Sequence, residues 1–359
     1  MNAERPPEFG TALATFAEFW QHLNPADPTT ILCHSDADGV AAGTILYRAL
    51  QRLDFSRLTI LITGKGANAY TPQTKQCVAS MHPSALFVLD LGCLQESVLP
   101  GIPTCFIDHH RPLGVPPEGI LISSYTWHPI PNTALLVYWL CSEYVPCTDM
   151  LWIAAIGTLS DLGDKAPFSI IAQAKAMYKA KWLHEATALV NAGRRSASGD
   201  AETALRAILA AQHPRAIVEG ASPEARKLAE YRSEVTAALE EAKKAAPKFS
   251  GQVALVRVNS PCQIHPLIAQ IWRTRLPKYI VLVGNEGYLP GYVAFSMRTA
   301  TNVNLLDLLS GVEVDVAEGY FGYGHDQATG GVLPTASWNQ LLQHLGFSPE
   351  VWAKTEAIH

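Results

Sequence analysis

The sequence predicts an α/β protein with an N-terminal doubly wound parallel sheet, a helical connector and a smaller C-terminal α/β domain. Its 359 residues suffice for about two domains. Of these residues 48% are hydrophobic, and short apolar runs of strand length alternate with helical segments. The predicted boundaries are 1–185 for the first domain, 186–250 for the connector, 251–346 for the second domain and 347–359 for a tail.

Four apolar runs predict the first sheet, and each is followed by a segment of helical apolar spacing or by polar residues. The predicted strands are TTILCH (29–34), LTILIT (58–63), ALFVLD (85–90) and TCFIDHH (104–110). The intervening segments VAAGTILYRALQRL and QTKQCVASM are predicted helices, and two further helices are predicted within 132–144 and 148–159. Strands that alternate with helices favour a parallel sheet with helices on both faces.

The connector is predicted from one long charged helix. Ser222 and Pro223 form a typical helix start, with a capping side chain followed by proline in the first turn. One narrow apolar stripe follows, made of Leu228, Tyr231, Val235 and Leu239. This stripe could pack on its own domain or serve a homodimer.

The second domain is predicted from another alternation of strands and helices. Its predicted strands are GQVALVRV, YIVLVGN and YVAFSMR, its predicted helices are IHPLIAQIW and NLLDLL, and a glycine-rich loop, FGYGHDQATGG, follows. The pattern indicates a second α/β domain.

Composition excludes several classes of protein. A net charge of -5 and a pI near 6.2 exclude a histone-like coat for nucleic acid. No uninterrupted apolar run reaches the roughly 18 residues that cross a bilayer, so we expect no membrane association. Seven cysteines without a CxxC pair indicate reduced thiols and a cytoplasmic protein.

Acidic and imidazole side chains follow three of the predicted strands. These residues are His34, Asp36 and Asp38 after the first run, Asp90 at the end of the third, and Asp108, His109 and His110 at the end of the fourth. Asp161 ends a predicted helix. Because open parallel sheets bind ligands at the carboxyl ends of their strands, we expect these side chains to converge.

Five carboxylates in one place require compensation, because like charges a few ångströms apart cannot all stay ionised. Protonation relieves one or two of them, whereas two divalent ions relieve all. Carboxylate and imidazole ligands suit Mn, Mg or Fe, and thiolates favour zinc; Cys33 and Cys105 lie inside strand runs and are expected in the core. Two metal ions roughly 3.5–4 Å apart can share a hydroxide nucleophile and stabilise a phosphoryl transition state.

The strand-end motifs resemble those of the DHH phosphoesterase superfamily, which is named after triplets such as Asp108-His109-His110. HSDADG from His34, VLDLG around Asp90 and GTLSDLGD around Asp161 resemble its other motifs, in the same order. RecJ-type exonucleases and nano-RNases are members with this arrangement.

The resemblance implies a two-ion centre with manganese as the usual metal and magnesium as a substitute. It implies that His34, Asp36 and Asp90 hold one ion, and that the second is held by Asp38, Asp90, His109 and Asp161. Asp90 would bridge the two ions. The resemblance further implies that Asp108 orients an imidazole and that His110 faces the substrate phosphate.

The second domain resembles the companion DHHA1 domain in QIHPLIAQIW, in the triplet 296–298 and in GYGHDQATGG. This resemblance implies a substrate-binding role for Ser296, Arg298, Gly322, Gly324 and His325. Family members commonly carry three glycines before the loop histidine, whereas Tyr323 interrupts the run here. Its ring either points outward or offers a surface on which a nucleobase stacks.

We therefore expect a Mn-dependent hydrolase that cleaves phosphodiester bonds at the ends of single-stranded or short nucleic acids. One alternative is a small-molecule phosphoesterase acting on a 3′,5′-bisphosphonucleoside or a cyclic dinucleotide. Another is a non-catalytic scaffold of the same fold that binds partner proteins.

Overall fold

The computed structural model describes residues 5–316 and 320–354, except for the side chain of Tyr323. The chain divides into two compact units. The first extends to Arg194 and resumes over Asp200–Tyr231, and the second comprises Arg195–Gly199 and the chain from Arg232 onward.

The first unit contains a five-stranded parallel sheet in the order β2-β1-β3-β4-β5. Its strands are β1 (Thr29–Cys33), β2 (Leu58–Ile62), β3 (Ala85–Leu89), β4 (Thr104–Asp108) and β5 (Gly119–Ser123). The first four confirm the predicted strands. The strand β5 was not predicted; it is an edge strand of sequence GILIS with one buried position, Ile122.

Helices cover both faces of this sheet. In chain order, the α-helices as far as residue 242 are α1 (Phe9–Gln21), α2 (Ala37–Arg52), α3 (Pro72–Ser80), α4 (Thr133–Ser142), α5 (Leu151–Asp161), α6 (Ser169–Tyr178), α7 (Ala180–Arg195), α8 (Ala201–Ala210), α9 (Pro214–Val218) and α10 (Pro223–Ala242). Of these helices, α2 to α5 and α10 were predicted from the sequence, and the others were not.

The two faces of the sheet have separate apolar cores, as side chains alternate along each strand. Ile31 and Cys33 pack in the core that contains α2, α4 and α5, whereas Leu32 packs with Val78 of α3 on the opposite face. All five positions of β1 and of β3 are buried, which explains their continuous apolar sequences. The predicted doubly wound fold class is confirmed.

The second unit contains a mixed six-stranded sheet in the order β10-β11-β9-β8-β7-β6. Its strands are β6 (Lys248–Ser250), β7 (Val253–Val258), β8 (Ile280–Leu289), β9 (Tyr292–Thr299), β10 (Tyr320–His325) and β11 (Ala328–Pro334). Its remaining helices are α11 (His265–Arg275), α12 (Leu305–Ser310) and α13 (Thr335–His344). Among the described residues of this sheet, β7 and β8 form the one parallel pair. Trp338 of α13 is fully buried against Gly284 of β8.

The expected glycine-rich loop is instead a β-hairpin of β10 and β11, so that expectation was wrong. Glycine permits the close approach of these strands. A Cβ atom on Gly324 would clash with the Ala328 carbonyl oxygen. A Cβ atom on Gly330 would lie 2.6 Å from the Phe295 carbonyl oxygen. The glycines therefore serve strand packing that a sequence pattern does not distinguish from a loop.

Helix α10 contributes to the cores of both units through the predicted apolar stripe. Leu228 and Tyr231 belong to the first core, and Val235 and Leu239 to the core around β7 and α11. The Ser222 hydroxyl accepts a hydrogen bond from the Ala225 amide at 3.1 Å, so the helix starts where the sequence predicts.

Residues 347–354 pack on the second unit. Phe347 and Ala353 are buried in its core, and Asn339 of α13 exchanges two hydrogen bonds with the backbone of Ala353. The segment set apart in the sequence as the start of a tail is thus an integral part of this unit as far as residue 354.

No disulfide joins any of the seven cysteines, all of which lie in the described residues, and six of them are buried. Within the described parts of the chain, every helix is either too short or too polar to cross a membrane.

Candidate metal and phosphate site

The predicted site residues of the first unit gather at the carboxyl edge of the parallel sheet. His34 follows β1, Asp90 follows β3 and Asp108 ends β4, and these three strands are neighbours. Asp90 has a φ of 64°, a left-handed conformation that aspartate adopts more readily than most residues. Its amide donates to the Ile107 carbonyl of β4, which holds this turn at the sheet edge.

Asp36 has two separate contacts. Its Oδ1 atom caps α2 by accepting hydrogen bonds from the amides of Asp38 and Gly39. Its Oδ2 atom lies 3.2 Å from His34 Nδ1 and 3.7 Å from Arg194 Nη2. Because helix capping uses only Oδ1 of Asp36, its Oδ2 atom remains directed towards His34.

Asp90 lies at the centre, and its two oxygens face different neighbours. Oδ2 lies 3.4 Å from His34 Nδ1. Oδ1 lies 3.3 Å from His109 Nε2 and 3.8 Å from His110 Nδ1, and it accepts a hydrogen bond from Thr133 Oγ1 at 2.9 Å. A single carboxylate thus contacts two different sets of potential ligands.

Asp38 is buried against the N-terminus of α4. Its Oδ1 atom accepts from Asn132 Nδ2 at 2.6 Å and from the Ala134 amide at 2.7 Å, and its Oδ2 atom accepts from the Thr133 amide at 3.1 Å. Oδ2 also lies 3.8 Å from His109 Nε2.

Asp108 orients His110. One oxygen accepts from both the backbone amide and Nδ1 of His110, at 2.7 and 2.8 Å, and the other accepts from the Gly92 amide at 2.7 Å. The neighbouring His109 ring contacts Asp161, whose Oδ2 atom lies 3.7 Å from Nδ1. Because Nε2 of the same ring faces Asp90, the two nitrogens of His109 contact two different carboxylates.

The charges near His34 balance one another. Burial lowers the pKa of His34, but the negative charge of Asp36 and a hydrogen bond to it outweigh burial and raise the pKa to about 10. Burial raises the pKa of Asp36, yet His34 and Arg194 hold it well below its ordinary range.

The carboxylates around His109 compete for positive charge. Burial raises the pKa of Asp38 well above its ordinary value, and the negative charge of Asp90 adds to this effect. Burial also raises the pKa of Asp161. The pKa of His109 lies well above normal: burial lowers it, but the charge of Asp161 and a hydrogen bond to Asp90 outweigh burial. Desolvated carboxylates that raise one another's pKa are the environment that a divalent cation relieves.

The donor set fits divalent metal ions. In the first unit, three groups of side chains each place their ligand atoms within 4.8 Å of one another: His34 with Asp36 and Asp90, Asp38 with Asp90 and His109, and Asp90 with Asp108 and His110. Asp90 belongs to all three. Oxygen and nitrogen ligands of this kind suit Mg, Mn or Fe.

Several residues that contact this cluster were missed by the sequence analysis. Arg194 lies in the last turn of α7, inside the predicted connector, and Asn132 and Thr133 begin α4. Asn191 of α7 accepts a hydrogen bond from the Ala37 amide and donates to Ser160. The polar pair Asn132-Thr133 directly precedes an apolar helix, and such a pair could have indicated residues of the site. No local sequence pattern indicates that Arg194 lies near Asp36.

The predicted substrate residues of the second unit lie on neighbouring strands. Ser296 and Arg298 are alternate residues of β9 and so share one face of the sheet. Arg298 pairs with Ala328 of β11, which pairs with His325 of β10, so Arg298 and His325 lie in one row. The Arg298 guanidinium donates to the carbonyls of Met297 and Thr329, at 2.8 and 3.1 Å.

Gly322 and Gly324 in β10 have φ values of 75° and 132°. These conformations favour glycine. The interpretation of the Tyr323 ring lies outside the described residues.

Comparison with known proteins rests on structure. No protein-family model and no curated protein matches the sequence. The structure of RecJ from Thermus thermophilus in complex with Mn²⁺ matches with a TM-score of 0.64 and a sequence identity of 17%. The match covers 96% of this chain and 55% of the RecJ chain. The chain therefore spans about half the length of that relative.

Two further structures match over most of both chains. An exonuclease RecJ bound to manganese has a TM-score of 0.59 and 17% identity, with 96% of each chain covered. The DHH domain of a protein described as a member of a ribosomal protein family has a TM-score of 0.61 and 16% identity, covering 94% of this chain and 90% of its own. The chain therefore shares the fold of these RecJ and DHH-domain structures, in line with the resemblance of its motifs.

Proposed function

We propose that this protein is a two-metal phosphoesterase that hydrolyses phosphodiester bonds at the ends of single-stranded or short nucleic acids. The observation that carries the proposal is the position of Asp90, whose two oxygens face two different sets of ligand side chains. The substrate class comes from the motif resemblance, and the description of a structural neighbour as an exonuclease is consistent with it.

In this proposal His34, Asp36 and Asp90 hold one ion, and the second is held by Asp38, Asp90, His109 and Asp161. Manganese is the proposed metal and magnesium its substitute. Divalent ions at such a site supply Lewis acidity, lower the pKa of water and neutralise charge on a phosphoryl group. Asp161 Oδ2 lies 3.7 Å from His109 Nδ1, a charge contact that is longer than a hydrogen bond.

Two side chains of the first unit, His110 and Arg194, act on the substrate in this scheme, and Asp108 orients His110. Asp108 accepts a hydrogen bond from Nδ1 of His110, so Nε2 is the ring atom that would face a phosphate oxygen, and it would donate a hydrogen bond when the ring is protonated. Arg194 is a fixed cation beside Asp36, with a side chain only 15% exposed. A guanidinium matches the paired oxygens of a phosphate.

In the second unit, Ser296, Arg298, Gly322, Gly324 and His325 are proposed to bind the substrate. The row formed by Arg298 and His325 on one sheet supports a shared role for these two side chains. The Arg298 guanidinium is already held by two carbonyl groups, which limits the directions in which it can bind an anion.

Hydrolysis of labelled oligonucleotides tests the proposal. DNA and RNA of two to thirty nucleotides, labelled at either end, are incubated with Mn²⁺, Mg²⁺ or a chelator. We expect Mn²⁺-dependent release of mononucleotides and its loss in Asp90→Ala. Asp149→Asn, which changes an exposed carboxylate paired with Arg52, is the matched control and should keep full activity.

The same assay includes a 3′,5′-bisphosphonucleoside and a cyclic dinucleotide. Cleavage of these compounds without cleavage of any oligonucleotide would replace the proposed substrate class by the small-molecule alternative. No hydrolysis of any substrate by protein that binds Mn²⁺ would contradict the enzymatic proposal and favour the scaffold.

A further inference from the structure

The first turn of α4 contacts two carboxylates that we propose as metal ligands. Asn132 and Thr133 are both fully buried. Asn132 donates to Asp38, and Thr133 donates to Asp38 through its amide and to Asp90 through its hydroxyl. Thr133 thus connects two carboxylates that come from different strand ends.

The capping of α4 is unusual. Its N-cap residue, Asn132, makes no side-chain hydrogen bond to its own helix. The N-cap side chain of a helix commonly accepts hydrogen bonds from free backbone amides of the first turn. In α4 the amides of Thr133 and Ala134 donate instead to Asp38 of α2. Asp38 therefore caps a helix to which it does not belong.

The side-chain amide of Asn132 is oriented by the same contact. A carboxylate only accepts hydrogen bonds, so the Asn132 atom 2.6 Å from Asp38 is the nitrogen. Asn132 Oδ1 is then buried without a hydrogen-bond partner among the described residues. A buried polar atom without a partner is unfavourable for folding, so this arrangement serves the orientation of Asp38 at the expense of stability.

We propose that Asn132 and Thr133 are positioning residues that fix the two carboxylates for metal binding. The inference rests on the proposed two-metal function. A carboxylate has about four lone-pair sites. Asp38 uses three of them on the first turn of α4, which leaves one on Oδ2, the oxygen nearest His109.

The Thr133 hydroxyl acts on Asp90 in the same way. It occupies one lone-pair site of Oδ1, which prevents Asp90 from rotating about its side-chain bonds without breaking this hydrogen bond. Oδ2 therefore remains directed towards His34. A carboxylate held in this way faces both ligand sets before any ion binds.

The test compares Thr133→Val with Thr133→Ser. Valine keeps the shape of threonine but lacks the hydroxyl, whereas serine keeps the hydroxyl. Free Mn²⁺ is titrated by electron paramagnetic resonance to obtain the Kd. Loss of a group that orients a metal ligand typically weakens affinity about 10–100-fold. We expect this loss in Thr133→Val and a Kd close to that of wild type in Thr133→Ser.

A Kd for Thr133→Val equal to that of wild type would overturn the inference and leave the proposed function intact. Failure of the wild-type protein to bind Mn²⁺ would instead overturn the proposed function and the inference with it. Equal weakening in both variants would also overturn the role of the hydroxyl.

Asn132→Ala provides a second test in case Thr133→Val does not fold. It removes the hydrogen bond to Asp38, which destabilises the fold, and also the unpaired buried oxygen, which offsets part of that loss. Its Mn²⁺ affinity should nevertheless fall about 10-fold or more. Unchanged affinity in this variant would contradict the positioning role of Asn132.

Discussion

Substitution of Asp90 by asparagine should remove most of the stabilisation of this protein by Mn²⁺. Asparagine keeps the shape of the side chain but removes the negative charge, and one of its two polar atoms becomes a donor that cannot bind a metal ion. Because the two carboxylate oxygens face different ligand sets, both sets lose their shared member in this variant.

The magnitude follows from linkage. At Mn²⁺ concentrations about 100 times the Kd, binding stabilises the folded wild-type protein by about 2.7 kcal/mol. About 1 kcal/mol raises the Tm of a domain of roughly 150–250 residues by about 2–4 °C, so the expected shift is about 5–10 °C. If Asp90→Asn weakens binding about 100-fold, the same Mn²⁺ concentration stabilises it by only about 0.4 kcal/mol, or about 1 °C.

The assay is a thermal unfolding scan of each variant with chelator and with Mn²⁺. Asp149→Asn should show the wild-type shift, because the Asp149 side chain is 45% exposed and pairs with Arg52 away from the cluster. A Mn²⁺-induced shift of wild-type size in Asp90→Asn would refute the central position of this carboxylate.

Three further predictions concern stability. Asp38→Asn places an NH₂ group against the donors of α4, which costs about 1–3 kcal/mol. Removal of the charge beside Asp90 offsets part of this cost, so the free energy of unfolding in chelator should fall by less than that; an unchanged urea midpoint would contradict the prediction. Burial raises the pKa of Asp200, but hydrogen bonds from Thr203 and Tyr231 bring this pKa below its ordinary value. The ionised Asp200 therefore stabilises the folded protein above the ordinary pKa of aspartate. This stabilisation is lost as the pH falls through the lower pKa of the folded state. Asp200→Asn should therefore flatten the acid limb of the stability curve, and an acid limb as steep as that of wild type would argue against this. Gly324→Ala should destabilise the second unit by about 1–3 kcal/mol, because a φ of 132° is strained for alanine and the new Cβ meets the Ala328 carbonyl. Gly311→Ala is the control, because Gly311 has a φ of -82° and open space around it. Equal effects in both variants would contradict the expected clash.

The sequence was sufficient for the parts of the site that depend on strand ends. Asp90 and Asp108 lie at the ends of continuous apolar runs, and the topology of a parallel sheet brings such ends together without any knowledge of side-chain packing. The same reasoning placed His34 beside them.

The contacts made across long sequence separations could not be predicted in this way. Asn132 meets Asp38 across 94 residues, and Arg194 reaches Asp36 from a helix that the sequence assigned to a connector. These contacts depend on how α4 and α7 pack against the sheet, which periodicity does not encode. The hairpin of β10 and β11 was missed for a related reason, because its glycines reflect close strand packing rather than a loop.

The most direct test of the two-metal site is anomalous diffraction at the manganese edge from crystals soaked in Mn²⁺. The proposal predicts two peaks, one beside His34 and Asp36 and one beside Asp38 and His109, with Asp90 between them. A single peak, or manganese bound only elsewhere on the protein at saturating concentration, would contradict it.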